Sequence, residues 1–247
     1  MPRPRLGQHF LIKGSVLERI ASIACPSHES LVVEIGPGRG ALTAKLLKRA
    51  ERVVAVEVDP YLAGHLRQRF ASEPRLELVN ADVLETDLGQ WGRAVLAGNL
   101  PYYITSPILE RVSALNMPRA VFLVQKEVAR RLVALPGERE YGFLTVRLAL
   151  SADVRMRFDV KPGAFYPPPK VDSAVVSLEP RRPRQDIEDP AAFLTFVGQC
   201  FRHKRKTIRN NLAEIYGNRM DGWPEAGLRA EQISLEGFAE MFRRLRS

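Results

Sequence analysis

The chain has 247 residues, of which 45% are hydrophobic, so it can build a full core and is long enough for one large and one small domain. Its two cysteines, Cys25 and Cys200, exclude a disulfide framework or a cysteine zinc cluster, and both lie in apolar helical patterns that predict packing roles. A net charge of +9 favours partners that carry negative charge, nucleic acid first, over the plainer reading of a merely soluble basic protein.

No stretch approaches the roughly 18 apolar residues that a membrane-spanning helix needs. The N-terminal residues Met1 to Arg5 are basic, but no apolar targeting segment follows them. We therefore expect a cytoplasmic protein without membrane or metal partners, acting as a monomer.

The first two-thirds of the chain alternates between strand and helix patterns. Residues 1–14 predict an arm that becomes ordered on binding, and the capping-box spacing of Ser15 and Glu18 predicts a helix to about Ala24. Short apolar runs predict strands at 31–35, 53–57, 76–79, 94–98 and 120–124, with intervening helices at 41–47, 60–70, 106–115 and 126–135. Strand, glycine turn and helix in succession are typical of a doubly wound nucleotide-binding sheet.

The remaining sequence predicts a change of architecture. A helix is expected at 141–150, an alternating strand at 154–160, a rigid proline loop at 163–170, and a last strand at 171–178, antiparallel at the sheet edge. A charged linker at 179–184 precedes purely helical periodicity from Pro190, interrupted at 217–224. We predict an α/β Rossmann-like domain with helices on both faces of its sheet over residues 1–180, and a small all-helical, RNA-binding domain over 181–247.

Three predicted strand ends carry residues suited to an adenosine cofactor. The glycine turn from Glu34 to Gly40 lets backbone approach a ligand closely, yet its spacing differs from the dinucleotide pattern Gly-x-Gly-x-x-Gly. Glu57 could accept both ribose hydroxyls and would repel a phosphate. Asp82 is placed to accept from an adenine amino group, although a turn cap is the plainer role for it. The sequence thus predicts an adenosine cofactor that lacks a diphosphate.

The fourth strand ends in Asn99-Leu100-Pro101-Tyr102, which places an amide, a backbone carbonyl and an aromatic ring side by side. Such groups suit a flat ring bearing an amine, such as adenine. A helix-capping turn with a buried tyrosine is the simpler alternative for this segment alone.

Asn99 to Tyr102 resembles the signature of amino-methyltransferases. Further segments match in order along nearly the whole chain: Gly7–Leu11, Glu34–Gly38, Gln125–Val128 and Phe165–Val176. The set resembles the small-subunit ribosomal RNA adenine N6,N6-dimethyltransferase family (KsgA type).

This resemblance implies S-adenosyl-L-methionine as cofactor and, as substrate, two adjacent adenosines in the 3′-terminal hairpin loop of 16S ribosomal RNA, within an immature 30S subunit. The implied cofactor contacts are His9, Leu11, Gly36, Gly38, Glu57, Asp82 and Asn99. His9 stands where the family usually has asparagine, so contact through its backbone, contact through its side chain and simple solvent exposure all stay open.

The residue types suggest how the adenine N6 amine would be activated. The Asn99 side-chain oxygen and the Leu100 carbonyl would each accept one N6–H bond, with Pro101 fixing the turn, so that the nitrogen lone pair points at the methyl group. Tyr102 would stack on the adenine, and Phe165 would cover its other face. No general base is required by this arrangement.

Basic residues would deliver the RNA. The densest cluster contains Arg202, Lys204, Arg205, Lys206 and Arg209, and Lys170 would add to it; Arg3, Arg5, Lys13, Arg130 and Arg131 could extend the footprint. The plainer alternative is a solvated charged helix face.

Two other functions stay open, a large-subunit rRNA methyltransferase of the macrolide-resistance type and a non-catalytic ribosome-assembly or transcription factor on the same fold. A nicotinamide dehydrogenase is disfavoured by the glycine spacing.

Overall fold

The computed structural model describes residues 9–181 and 187–246, and the chain divides into two compact units. The first unit contains Met1–Ala129 and Asp153–Pro180, and the second contains Arg130–Ala152 and Arg181–Ser247. The predicted break after Pro180 coincides with one of these limits, but 130–152, which we had assigned to the first domain, clusters with the second unit. Outside the described residues lie Arg3, Arg5, Gly7, Gln8 and the second half of the predicted linker, 182–184.

The strands of the described residues all contribute to the first unit. They are β1 (Phe10–Leu11), β2 (Glu29–Ile35), β3 (Ala50–Val56), β4 (Leu76–Val79), β5 (Val95–Asn99), β6 (Ala120–Gln125), β7 (Ala152–Val160), β8 (Phe165–Tyr166) and β9 (Ser173–Pro180). Seven of them form one sheet in the order β4-β3-β2-β5-β6-β9-β7, and β1 pairs with β8 in a separate antiparallel ladder. The ladders between β4 and β6 are parallel, as the strand–helix alternation predicts.

The edge of this sheet differs from our prediction. The last strand, β9, does run antiparallel to β6, but β7 lies outside it and forms the edge. Residues 173–178 of β9 are all buried, whereas β7 is mostly half-buried or exposed. The uninterrupted run Ala174-Val175-Val176 suits an interior strand covered on both faces, and the charged residues of β7 suit an edge.

The helices begin and end close to the predicted limits. They are α1 (Gly14–Ala24), α2 (Thr43–Leu46), α3 (Pro60–Arg69), α4 (Thr105–Val112), α5 (Lys126–Val133), α6 (Phe143–Ser151), α7 (Pro190–Cys200), α8 (Ile208–Tyr216) and α9 (Leu235–Arg246). The expected capping box of α1 does not form, because the helix has Lys13 as its N-cap and Glu18 pairs with Arg49 and Lys45.

The core of the first unit lies between α1, α2 and the sheet, and Cys25 is fully buried in it. The second unit has its own core, in which α6 packs against α7 and α9 around Phe193, Phe196 and Phe238. Cys200 is buried there, so both cysteines have the predicted packing roles. Within the described ranges, no helix is long and apolar enough to cross a membrane, and no group of three or more potential metal ligands occurs.

Candidate active site

A cavity of about 790 Å³ opens at the carboxyl ends of the parallel strands in the first unit. Its wall includes the turns that follow β2 and β5, namely residues 36–39 and Asn99 to Ile104. In the sheet order the chain reverses direction of winding between β2 and β5, which is where open α/β sheets leave a crevice for ligands. Residues that the sequence predicted at three separate strand ends therefore share one cavity.

The glycine turn and Glu57 form one wall of this cavity. Gly36 and Gly38 have φ of 67° and 58°, a conformation that favours glycine. The Gly38 N–H donates to Glu57 Oε2 at 3.0 Å, and the Asp59 N–H donates to Oε1 at 3.0 Å. Burial raises the pKa of the Glu57 carboxyl, while these two backbone donors oppose the rise. The turn thus holds a buried acceptor with a fixed orientation, as ribose hydroxyls require.

Asp82 also lies on the cavity wall, but one of its oxygens is already used. Oδ1 accepts from the Leu84 N–H at 2.8 Å, which is the turn-capping role that we had set against cofactor binding. A carboxylate has a second oxygen, so capping and binding an amino group are compatible.

Asn99 and Leu100 are held by backbone contacts from two directions. Asn99 Nδ2 donates to the His9 carbonyl oxygen at 2.9 Å, which directs the amide so that Oδ1 is the end left to accept. The Leu100 N–H donates to the Leu123 carbonyl at 3.0 Å. The Pro101 carbonyl accepts from the Ile104 N–H and from Thr105 Oγ1. The orientation of Asn99 is the one that the predicted chemistry needs.

His9 and Leu11 reach the cavity from the N-terminal strand. Leu11 is buried in β1, opposite Phe165. His9 Nδ1 donates to the Pro167 carbonyl oxygen at 2.7 Å, and its ring centroid lies 5.9 Å from that of Tyr102. His9 is therefore half-buried and bonded within the protein, which argues against the solvent-facing alternative.

The Tyr102 ring lies on the cavity wall, and its hydroxyl is bonded away from the cavity. The Tyr102 hydroxyl and Ser173 Oγ are 2.6 Å apart, and burial raises the pKa of the phenol. The ring of Tyr102 thus lies on the cavity, and its stacking on an adenine stays a prediction.

Phe165 requires a correction. Its side chain is only 3% exposed, packs in the core beside Val175, and does not line the cavity. The next residue, Tyr166, is 65% exposed and does line it, together with Tyr103 at 61%. Because successive residues of a strand face opposite sides, only one of the two adjacent rings could face the cavity.

Glu34 is a cavity residue for which the sequence suggested no role. It is 1% exposed, and burial raises the pKa of its carboxyl to about 8. The sequence places Glu34 at the start of the turn motif, but it does not indicate that the carboxyl is buried.

The predicted RNA-contacting residues of the second unit form an exposed basic loop, residues 202–206, that leads to α8. Arg202, Lys204, Arg205, Lys206 and Arg209 are all exposed, and so is Lys170 in the first unit. Arg202 pairs with Glu214, Arg209 pairs with Asp221, and Lys204 donates to the Arg139 carbonyl oxygen. The cluster is therefore confirmed as exposed, with part of its charge paired.

One buried side chain holds this basic loop. Asn211 is 3% exposed; its Oδ1 accepts from the His203 N–H at 3.0 Å, and its Nδ2 donates to the Cys200 carbonyl at 2.9 Å and to the His203 carbonyl at 3.2 Å. The loop backbone is thus fixed before any ligand binds. No pattern in the sequence indicates this role, since Asn211 does not differ there from other polar residues of a helix.

The family described as ribosomal RNA adenine dimethylase matches residues 2–246. The chain belongs to the ribosomal RNA adenine dimethylase family. Its relatives in this family include ribosomal RNA small subunit methyltransferase A of Acidobacterium capsulatum, which is 41% identical over 98% of this chain and 91% of the relative.

Two solved structures extend this family likeness to the fold. A dimethyladenosine transferase from Plasmodium falciparum superposes with a TM-score of 0.79 at 26% identity, over 96% of this chain and 98% of the other. The 23S rRNA methyltransferase ErmE superposes with a TM-score of 0.74 at 29% identity, over 96% of this chain and 100% of the other. The likeness therefore covers nearly the whole adenine dimethylase chain, including its helical part.

The cofactor of this adenine dimethylase is S-adenosyl-L-methionine, and the cavity residues fit it. A buried carboxylate at the end of β3 suits a ribose and would repel the phosphates of a dinucleotide. A Cβ at Gly36 would stand 3.7 Å from the Asn99 carbonyl oxygen, so the glycine turn lies close to the segment that carries Asn99.

Proposed function

We propose that this protein transfers methyl groups from S-adenosyl-L-methionine to N6 of two adjacent adenosines in the 3′-terminal hairpin loop of 16S ribosomal RNA. The observation that carries the proposal is the orientation of Asn99, whose Nδ2 donates to the His9 carbonyl oxygen, which leaves Oδ1 as the end of the amide that can accept from an amine. When bound, the cofactor supplies an electrophilic methyl group on a sulfonium.

The residues of the chain bind and orient the two reactants. Glu57 accepts the ribose hydroxyls and Asp82 accepts from the adenine amino group of the cofactor. Asn99 Oδ1 and the Leu100 carbonyl accept the N6–H groups of the substrate adenine, which favours a pyramidal nitrogen with an available lone pair. Tyr102 stacks on the adenine and keeps it in the plane that these acceptors require.

The basic loop supplies affinity for the RNA backbone. The second unit contains 17 lysines and arginines against 11 aspartates and glutamates, so it carries most of the excess positive charge. Exposed lysine and arginine residues on a fixed loop neutralise phosphates and release counterions. The target adenines must leave their stack to reach the cavity, which costs least in a loop of the RNA.

Small-subunit RNA is favoured over large-subunit RNA by the names and identities of the relatives. The relatives at about 40% identity are called small subunit methyltransferase A, whereas ErmE is 29% identical. A non-catalytic factor is disfavoured because Glu57, Asp82 and Asn99 are retained on one cavity. We further propose that a monomer acts on an immature 30S subunit in the cytoplasm.

The test is methyl transfer to undermethylated small subunits by wild type and by Asn99→Ala, with Asn116→Ala as an exposed control outside the cavity. We expect N6,N6-dimethyladenosine in the 3′-terminal hairpin, detected by mass spectrometry, with the wild type and the control. Asn99→Ala should lose about 100-fold in kcat, the scale seen when a preorganised contact to the reacting centre is removed. Primer extension that stops on large-subunit RNA instead would overturn the choice of substrate.

A further inference from the structure

We propose that Ser173 is a positioning residue, which acts on the reaction by fixing the ring of Tyr102. The proposal rests on the proposed function, because it concerns the ring that would stack on the substrate adenine. It adds a role for Ser173, a residue of the Phe165–Val176 segment that does not line the cavity.

Ser173 and Tyr102 are brought together across an intervening strand. Tyr102 follows β5, Ser173 begins β9, and β6 lies between these two strands in the sheet. Ser173 is paired with Gln125 of β6, and Asn99 is paired with Leu123 of the same strand. Ser173 and the segment that leads to Tyr102 are therefore both positioned by strands that pair with β6.

The environment of the two hydroxyls differs from that of the ring. Ser173 is 0% exposed, whereas Tyr102 is half-buried with its ring on the cavity wall. The 2.6 Å bond between Tyr102 Oη and Ser173 Oγ satisfies a buried serine and holds the far end of the tyrosine side chain. The ring is consequently held at its hydroxyl end, while its face stays open for stacking.

This bond restricts the motion that matters for stacking. A tyrosine held only at Cβ can change both χ1 and χ2, and its ring face can then tilt away from an adenine. With the hydroxyl held as well, tilting requires breaking a buried hydrogen bond. The neighbouring Tyr103, 61% exposed on the same cavity, shows no such buried bond among the contacts described for it.

The experiment is a double-mutant cycle of Ser173→Ala and Tyr102→Phe, with kcat and KM measured for methyl transfer to small subunits. Because both single variants break the same bond, each should lower kcat by about 3- to 10-fold, the range of one hydrogen bond, and the double variant should be no worse than either. The KM for S-adenosyl-L-methionine should stay unchanged, since the Glu57 contacts are untouched.

Ser177→Ala is the matched control. Ser177 is a buried serine on the same strand, and its Oγ accepts from Arg157 Nε at 2.6 Å. We expect this variant to lower the melting temperature without lowering kcat. If Ser173→Ala and Ser177→Ala lower kcat equally, or if the losses in the double variant multiply, the positioning role is overturned.

A second measurement needs no RNA. In protein labelled with ¹³C at the tyrosine ring, relaxation of the Tyr102 signal, assigned through Tyr102→Phe, should show greater ring motion in Ser173→Ala. Unchanged ring motion would overturn the proposal by itself. Absence of methyl transfer by the wild type, with the expected change in ring motion, would overturn the proposed function and leave the positioning contact supported.

Discussion

Substitution of Gly98 by alanine tests how closely the two walls of the cavity must be held. Gly98 is the residue before Asn99 in β5, and Ile35, the residue before Gly36, lies beside it in β2. A Cβ at position 98 would stand 2.3 Å from the Ile35 carbonyl oxygen, whereas ordinary contact begins at 3.4 Å. One of the two backbones must therefore move by about 1 Å, since neither atom belongs to a flexible side chain.

This displacement would separate the glycine turn from Asn99, which follow the two strands directly. Misplacement of reacting groups by about 1 Å can cost about 100-fold in rate, so we expect kcat to fall by about that factor. Overpacking should also lower the free energy of unfolding by about 1–3 kcal/mol. The assay is transfer of a labelled methyl group to small subunits, with the melting temperature recorded by differential scanning fluorimetry.

The control for this prediction is Gly64→Ala. Gly64 lies within α3, and a Cβ there meets nothing within 4 Å. Alanine should leave kcat unchanged and stabilise the helix by up to about 1 kcal/mol. A Gly98→Ala protein with wild-type kcat would refute the reasoning, because it would mean that the strands can separate without moving the reacting groups.

Three further predictions concern the cofactor, the RNA and pH. Glu57→Gln should weaken S-adenosyl-L-methionine binding by about 10- to 100-fold in calorimetry, because a neutral amide accepts ribose hydroxyls less well than a carboxylate. The control is Glu51→Gln, a change of an exposed residue on β3, which should bind the cofactor like wild type. Arg205→Ala should lower the affinity for RNA and reduce the slope of log K against log salt concentration by about 0.7–0.9. The control is Arg219→Ala, a change of an exposed residue outside the basic loop. An unchanged slope for Arg205→Ala would exclude a phosphate contact. Burial raises the pKa of Glu34 to about 8 from an ordinary value of 4.5, so the stability that the protonated carboxyl provides is present below pH 4.5 and is lost as the pH rises towards 8. The melting temperature of Glu34→Gln should therefore fall less than that of wild type between pH 5 and 8, and parallel curves would contradict a buried, protonated Glu34.

The regular part of the fold was readable from the sequence because local patterns determine it. Strands β2 to β6 are short apolar runs separated by helices. The interior strands β2, β3, β5 and β6 are largely buried, as parallel strands covered on both faces require, whereas the edge strand β4 is half-buried. The unbroken apolar run of β9 indicates an interior strand, although we predict it at the sheet edge.

The division of the chain into two units could not be predicted from local sequence patterns. Residues 130–152 have the helical pattern of the preceding segment, and periodicity indicates which face of a helix is buried but not which element covers it. In the structure Val146 of this segment joins a core with Phe193 and Phe238, residues that follow far along the chain. The grouping thus depends on long-range contacts that a single sequence does not display.

Some residues of the candidate site could be predicted from the sequence, and others could not. Glu57, Asp82 and Asn99 could be placed on one cavity from the sequence because strand ends converge at one edge of a parallel sheet. Phe165 was wrong and Tyr166 was missed because the strand that carries them is only two residues long and both are aromatic, so no alternation of polarity marks the inward face. The His9 carbonyl bond to Asn99 was also beyond prediction, since it joins positions 90 residues apart.

The ladder between β1 and β8 has a consequence for the folding of the enzyme during its synthesis. It joins Phe10 to Tyr166, and His9 bonds to Pro167 across 158 residues. A chain emerges from the ribosome with its N-terminus first, and contacts of such separation form late and slowly. The bond from His9 to Pro167 and the pairing of β1 with β8 cannot form until the Tyr166 segment has been synthesised, so the contacts that hold His9 beside Asn99 become complete only after that point.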